Sequence, residues 1–453
     1  MLVLCPSLFS LGCAIFLLSN QIRNVHTPDN RWLDLNVYSS TVLLQCLTTT
    51  RPLTPVRGVE FFKGTLDSTN EIDDARIFDT TLRDGEQSPR TSFSYEDKRE
   101  IAALLDDMGT HVIEAGFPVN SDAEFEAVQD IAESTDTTVA GLARVVEKDI
   151  EAALDSGAEM VHTFVSTSDV QIEDSMHATR EDVLERAVKS VEQIVDAGAT
   201  CMFSPMDATR TDEQFLIEVI EAVTEAGTDW INIPDTTGVA APRRMYDLIE
   251  TVRAHTDARI DVHAHDDFGM ATANAIAGFE AGADQAQVSV NSIGERAGNA
   301  AYEEVVMALE SLYQVDTGID TTRITELSRV VEEKSDVPTP ANKPVVGRNA
   351  FSHESGIHAA GVIENSDTFE PGVMTPEMVG AERQLVLGKH TGTNSVRKRL
   401  AEAGFDPSEE QVKAVTRRVK DYGAEKNRVT VEELRRFARE IGVPREEEDE
   451  IHA

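Results

Sequence analysis

Between residues 76 and 312, short runs of apolar and β-branched residues alternate eight times with longer amphipathic runs. No other feature restricts the fold as much. Strands that alternate with helical runs pair in parallel, each returning through the helix that follows it. The apolar runs at 77–80, 111–116, 138–143, 160–166, 200–204, 230–234, 260–265 and 285–290 are expected strands. The helices are expected to begin after Ser94 and Ser121, near Glu147, Arg180 and Thr211, after Pro242, and near Ala271 and Ala300. Eight such units in roughly 240 residues match a closed barrel. An open doubly wound sheet is the runner-up, but no glycine-rich dinucleotide fingerprint follows the first strand. The expected fold is α/β, a (β/α)8 TIM barrel over residues 70–318 followed by a helical C-terminal subdomain over 319–453. Tail helices are expected at 393–403, 408–421 and 430–441, laid against or over the barrel mouth. In such barrels the chemistry sits at the C-terminal strand ends.

Charge narrows the partners. The chain holds 81 acidic against 41 basic residues, a net charge of −40. Such a surface repels nucleic acid and anionic membranes and suits a cytoplasmic protein working at high salt on small molecules. Residues 1–60 do not share this bias: three acidic residues (Asp29, Asp34, Glu60) stand against four arginines. A membrane anchor, a cleaved leader and sequence upstream of the true start are the three readings. The composition break, and the lack of methionine between Met1 and Met108, favour the third, with a start at Val56 or Val59 and no functional role for the segment. Cys5, Cys13 and Cys46 lie in that segment, and Cys201 alone in the body supports neither a disulfide framework nor a zinc cluster.

Two strand ends carry the chemistry. Residues 76–87 read R-I-F-D-T-T-L-R-D-G-E-Q, which sets Arg83 beside Asp84 where the first strand turns. A guanidinium and a carboxylate there can hold a metal ion and a developing oxyanion together, although an isolated Arg–Asp pair is more often a structural ion pair. The seventh strand favours the metal: His263 and His265, in I-D-V-H-A-H-D-D-F-G, are two apart, so both rings face one side. With Asp84 they form a mixed nitrogen and oxygen set suited to Zn2+, Mn2+ or Co2+, or to Mg2+ with waters completing the shell. Asn299, in G-E-R-A-G-N, can add an amide oxygen. The run from His353 to His358 has one residue too many for an H-E-x-x-H zinc helix. On spacing it is a surface pair; Glu354 and His358 become an acid–base pair only if the tail covers the mouth. Cys201 lacks a basic partner and is a poor nucleophile. Thr236, Ser204 and His162 stand at strand ends where they can hydrogen-bond a substrate.

D-T-T-L-R-D-G-E-Q-S with Lys98, and H-A-H-D-D-F-G-M-A, resemble the two signatures of the 2-isopropylmalate, homocitrate and citramalate synthases. N-I-P-D-T, G-E-R-A-G-N, N-A-F-S-H-E-S-G-I-H and L-G-K-H-T-G fit the same family, and the charge points to a haloarchaeal-type member. The resemblance implies a Claisen-type condensation: the methyl carbon of acetyl-CoA adds to the ketone of a 2-oxo acid, and thioester hydrolysis releases CoA. It implies a divalent ion on Asp84, His263, His265 and Asn299, with Glu114 supporting that site. Arg83 would stabilise the alkoxide, Thr236 would grip the carboxylate, and His358, from the tail of a partner subunit in a homodimer, would move protons on the acetyl group.

Two positions depart from the family. Met206, in F-S-P-M-D, stands where a glutamate is usual, and a thioether carries no proton, so either Asp207 or Glu354 substitutes or the proton path differs. Phe369 replaces a frequent tyrosine. About sixty residues follow L-G-K-H-T-G, so a leucine-responsive regulatory domain is not expected. The expected acceptor is 2-oxoisovalerate or pyruvate, with 2-oxoglutarate third; His162 is one vote for the isopropylmalate type. The competing readings are a metal-dependent carbon–carbon lyase or aldolase and a relative that binds without turnover. A biotin-dependent carboxyltransferase would need a lysine at a strand end inside the barrel, and the sequence shows none.

Overall fold

The protein is described by a computed structural model over residues 72, 74–354, 373–426 and 428–445. The atypical segment 1–60, His358 and Phe369 lie outside the described residues. Eight parallel strands close into a barrel in sequence order: β1 (Arg76–Asp79), β2 (Val112–Gly116), β3 (Thr138–Arg144), β4 (Met160–Ser166), β5 (Thr200–Met206), β6 (Trp230–Asp235), β7 (Arg259–Ala264) and β8 (Gln285–Val288). β8 pairs back onto β1, with Arg76 opposite Gln285 and Asp79 opposite Val288. The main helices between them are α1 (Tyr95–Asp107), α2 (Asp122–Ser134), α3 (Glu147–Asp155), α4 (Arg180–Asp196), α5 (Glu213–Glu225), α6 (Pro242–Arg253) and α7 (Ala271–Glu280), and α8 (Tyr302–Ala308) follows β8. This is the expected (β/α)8 barrel.

Local chemistry sets where helices start. α1 and α4 open on capping boxes, Ser94 with Asp97 and Thr179 with Asp182, which satisfy backbone N–H groups that have no partner within the helix. Pro242 opens α6, where its fixed φ fits and its missing N–H costs nothing. Among the described residues no helix is long and apolar enough to cross a membrane.

The strand period of two stacks the barrel interior in rungs. One is apolar: Phe78, Val112, Ala140, Met160, Met202 and Trp230 form one buried cluster. Two residues further along their strands stand Glu114, Leu142, His162, Ser204 and Asn232, so the apolar plug supports a mostly polar floor.

The chain after Gly318 holds a helix that the sequence reading did not place. α9 (Ile324–Ser335) buries Ile324, Leu327 and Val331 in the same core as Ile101 and Leu105 of α1. It escapes the strand–helix alternation because no strand precedes it. Ser328 Oγ donates to Asn291 Oδ1 at 2.5 Å and Asn291 Nδ2 donates back to Ser328 O at 2.8 Å, tying α9 to the loop after β8. Downstream, the half-buried Lys343 places its ammonium 3.1 Å from Glu303 and 2.9 Å from Glu304, anchoring the proline-punctuated linker to the barrel. α10 (Thr393–Glu402), α11 (Glu409–Lys426) and α12 (Val431–Ile441) then pack around their own core of Val396, Leu400, Val415, Val419, Leu434 and Phe437. The tail is the helical subdomain expected.

Candidate active site

The turn after β1 brings Asp84 to the mouth, buried among polar groups. Its Oδ1 accepts from Arg83 Nη1 at 2.6 Å, and its Oδ2 accepts from Asn299 Nδ2 at 2.7 Å and lies 3.9 Å from His263 Nε2. His263 and His265 meet edge to face with ring centroids 4.9 Å apart, and their Nε2 atoms are 3.2 Å apart. One ligand atom from each of Asp84, His263 and His265 falls within 4.8 Å of the others. His263 Nδ1–H donates to Gln287 Oε1 at 2.8 Å, which turns the Nε2 lone pair toward Asp84.

The charge states suit a cation. Burial, with His265 alongside, outweighs the pull of Asp84 and lowers the His263 pKa to about 3, so the ring is neutral. Burial lowers His265 as well. Burial would raise the Asp84 carboxyl, but Arg83 and the two imidazoles outweigh it and hold the group well below the usual carboxylate range. Two neutral imidazoles and an ionised carboxylate therefore converge, which is a donor set for a divalent ion. Asn299 Oδ1, buried with no hydrogen-bond partner among the described residues, stands beside this set.

Gly298 permits the loop that carries Asn299. Its φ is +94°, and a Cβ there would sit 1.7 Å from Ser292 O. Gly298→Ala is expected to lower stability by about 2 kcal/mol or more and to weaken Mn2+ binding as Asn299 shifts. Chemical denaturation of the metal-free chain checks this, and an unchanged midpoint would show that the loop has another conformation open to it.

Beneath the cation side a hydrogen-bond relay crosses the barrel. Arg83 Nε and Thr80 Oγ1 both donate to Glu114 Oε2 at 2.6 Å. His162 Nδ1–H donates to Glu114 Oε1 at 2.6 Å, Ser204 Oγ–H donates to His162 Nε2 at 2.7 Å, and Asn232 Nδ2 donates to Ser204 Oγ at 2.7 Å. Burial would raise Glu114, yet Arg83 and His162 overcome it and hold the carboxyl at about 2, so it stays ionised. Arg83 is thus gripped from two sides, by Asp84 through Nη1 and by Glu114 through Nε, and its plane is fixed.

Most of these groups border one cavity of about 180 Å³, with Glu114, Thr80 and Asn299 behind its lining. Arg83, Asp84, His263 and His265 line one side, from the ends of β1 and β7; Leu142, Phe164, Met206 and Pro234, from β3 to β6, form an apolar wall across from them.

Comparison with known proteins gives the family. Residues 74–331 match the HMGL-like family, and residues 345–427 match the family described as homocitrate synthase post-HMGL domain-like. A chain of Methanosarcina mazei named a probable 2-isopropylmalate synthase is 51% identical over 359 residues, 79% of this chain and 70% of that one. The chain belongs to the 2-isopropylmalate, citramalate and homocitrate synthase family. A homocitrate synthase of Methanopyrus kandleri is 46% identical over 379 residues, 83% of this chain and 95% of that one. Among solved structures, a hydroxymethylglutaryl-CoA lyase from Pseudomonas aeruginosa aligns with a TM-score of 0.53 at 24% identity, covering 62% of this chain and 97% of that one, which is a likeness of fold.

Within this synthase fold, Arg83, Asp84, Glu114, His162, Ser204, Thr236, His263, His265 and Asn299 all gather at the mouth. Two expectations tied to Met206 change. Asp207 does not line the cavity; it has φ +69°, and its carboxylate is taken by Arg210 at 2.6 Å and Ser168 Oγ at 2.5 Å. A carboxylate held in this way is in no position to replace the absent glutamate. Glu354 Oε1 accepts from His390 N at 3.1 Å, placing it on the L-G-K-H-T-G loop and not on the cavity. Cys201 is buried, and burial pushes its thiol up to about 12, which removes it as a nucleophile. The sequence reading did not single out Asn232, Gln287, Leu142, Phe164 or Pro234. The strand period, counted on from His162 and back from Thr236, carried the signal for Phe164, Pro234 and Asn232.

Proposed function

We propose that the protein condenses acetyl-CoA with a 2-oxo monocarboxylic acid, 2-oxoisovalerate or pyruvate, to give a 2-hydroxy dicarboxylic acid and CoA. The observation that carries this reading is the two-sided cavity, with a cation site on one side and an apolar wall on the other. A divalent ion held by Asp84, His263, His265 and Asn299 (Mn2+, Mg2+, Zn2+ or Co2+) would make the ketone of the acceptor electrophilic. Arg83, with two of its nitrogens already committed, offers its remaining N–H to the oxygen that becomes an alkoxide. Thr236, at the end of β6, is assigned to the acceptor carboxylate, and His358, from a partner subunit in a homodimer, to proton movement on the acetyl group. The relay ties Glu114, His162 and Ser204 to one another and leaves Asn232 Oδ1 as its one unpartnered side-chain atom, so most of its polar groups are already satisfied where an alkyl substituent would lie over it.

The same wall argues against 2-oxoglutarate. Arg83 is the one Lys or Arg side chain on the cavity among the described residues, and it is paired twice. A second carboxylate against Leu142, Phe164, Met206 and Pro234 would be buried without a counter-charge. Thiol release from acetyl-CoA, measured in high salt with Mn2+ or Mg2+, tests the reading. One of the two monocarboxylic acceptors is expected to exceed 2-oxoglutarate by about 10²-fold or more in kcat/KM. If 2-oxoglutarate is the best acceptor the assignment of the wall is wrong; if no acceptor drives release the reaction is.

A further inference from the structure

The turn after β5 gives Asp207, the residue next to Met206, a left-handed backbone with φ +69° and ψ +35°. Aspartate and asparagine tolerate that region better than most other residues with a Cβ. Here the carboxylate is tied down as well. Arg210 Nε donates to Oδ1 at 2.8 Å, Arg210 Nη2 donates to Oδ2 at 2.6 Å, and Ser168 Oγ donates to Oδ2 at 2.5 Å. The carbonyl oxygen of the same residue accepts from Thr211 Oγ1 at 2.9 Å. Held by its side chain and by its carbonyl, Asp207 points its backbone N–H at the neighbouring loop after β6, where it donates to Thr236 Oγ1 at 2.9 Å.

The consequence for Thr236 is one of polarity. A hydroxyl has one hydrogen to give and two lone pairs with which to accept. The Asp207 N–H takes up a lone pair, and among the described residues the hydroxyl hydrogen of Thr236 has no acceptor. Thr236 lines the cavity and Asp207 does not. From the loop after β8, Arg296 Nη2 donates to Thr236 O at 2.9 Å, so the main chain of Thr236 is held as well. An ionised carboxylate only accepts, so a side chain that grips one must donate.

We propose that Asp207 is a positioning residue for Thr236: its clamped left-handed turn aims the backbone N–H at Thr236 Oγ1 and leaves the hydroxyl as a donor into the cavity. This rests on the reading of Thr236 as the grip on the acceptor carboxylate. Had Oγ1 met a carbonyl there instead, its hydrogen would be spent inside the protein and the acceptor would face only lone pairs. A clamp that merely closed the loop would alter stability and leave acceptor affinity alone.

The test is a double-variant cycle on acceptor binding by calorimetry, with the full chain in high salt and Mn2+ and with pyruvate and 2-oxoisovalerate as probes. Thr236→Val removes the hydroxyl and is expected to weaken binding about tenfold or more. Asp207→Ala loses the clamp and disfavours the turn, and it is expected to weaken binding by about the same factor. Asp207→Asn tolerates the turn and still accepts from Ser168, so it is expected to stay within about threefold of wild type. In the Thr236→Val background Asp207→Ala is expected to add less than about twofold, since the group it positions is gone. In turnover the loss is expected in KM for the acceptor with kcat little moved, because the grip is made in ground and transition states alike. An Asp207→Ala chain that binds as wild type does, or whose loss adds in full to that of Thr236→Val, overturns the assignment. Amide hydrogen exchange supplies a check that does not need Asp207→Ala to fold. Thr236→Val removes the acceptor of the Asp207 N–H, which is then expected to exchange about tenfold faster than in wild type. Equal exchange in the two chains overturns the proposal. If Thr236→Val speeds that exchange but leaves acceptor binding unchanged, the carboxylate reading of Thr236 falls and the hold of Asp207 on Thr236 stands.

Discussion

Asp84→Asn is expected to lower turnover by about 10³-fold or more and to weaken Mn2+ binding sharply. The carboxylate is the only negative charge in the donor set, and it also accepts from Arg83 and Asn299. Asparagine fills the same space, so the substitution removes charge with little change in packing. It leaves the Arg83 guanidinium beside any bound cation with less to neutralise it, and the cation is expected to leave. Chelation of the wild-type protein should give the same loss, recovered by adding Mn2+ back, whereas added Mn2+ should recover Asp84→Asn only in part. Calorimetric Mn2+ affinity together with CoA release measures both sides of this. An Asp84→Asn chain holding Mn2+ within tenfold of wild type would remove Asp84 from the ligand set.

Arg83→Lys is expected to lower kcat by about 10²- to 10³-fold while KM for the acceptor moves little. Arginine fills two posts here with one planar fork, Nε on Glu114 and Nη1 on Asp84, and the fork leaves a further N–H for the developing alkoxide. Lysine carries the charge on a single nitrogen and cannot hold both carboxylates while facing the substrate. A loss in kcat without a matching rise in KM is the signature of an interaction made mainly in the transition state. Arg83→Ala is a harsher change: it takes from the buried Asp84 and Glu114 the guanidinium that they share, so a fall in stability of about 3–5 kcal/mol accompanies the loss of activity. An Arg83→Lys enzyme that keeps kcat but loses acceptor affinity would make Arg83 a ground-state binding group.

Met206 illustrates how a local rule and a tertiary contact combine. The period of two on β5 places Met202, Ser204 and Met206 inward, and that much is legible from sequence. What becomes of Asp207, the next residue, is not. Its left-handed backbone and its pairing with Arg210 and Ser168 depend on where the following turn and the β4 loop lie. Glu354 is similar, since its contact with the His390 backbone joins segments 36 residues apart in the chain.

The order of strands and helices, the inward face of each strand and the shared face of His263 and His265 follow from sequence alone, because period and capping are properties of a few neighbouring residues. The pairing of Asp84 with Asn299, 215 residues apart, and of Glu114 with His162, 48 apart, does not. Those contacts depend on the register in which eight strands close and on the paths of the loops at the mouth. The same closure decided that α9 packs with the barrel and that His263 lies opposite Gln287. Local periodicity says which way a side chain points; only the closed barrel says what it meets there.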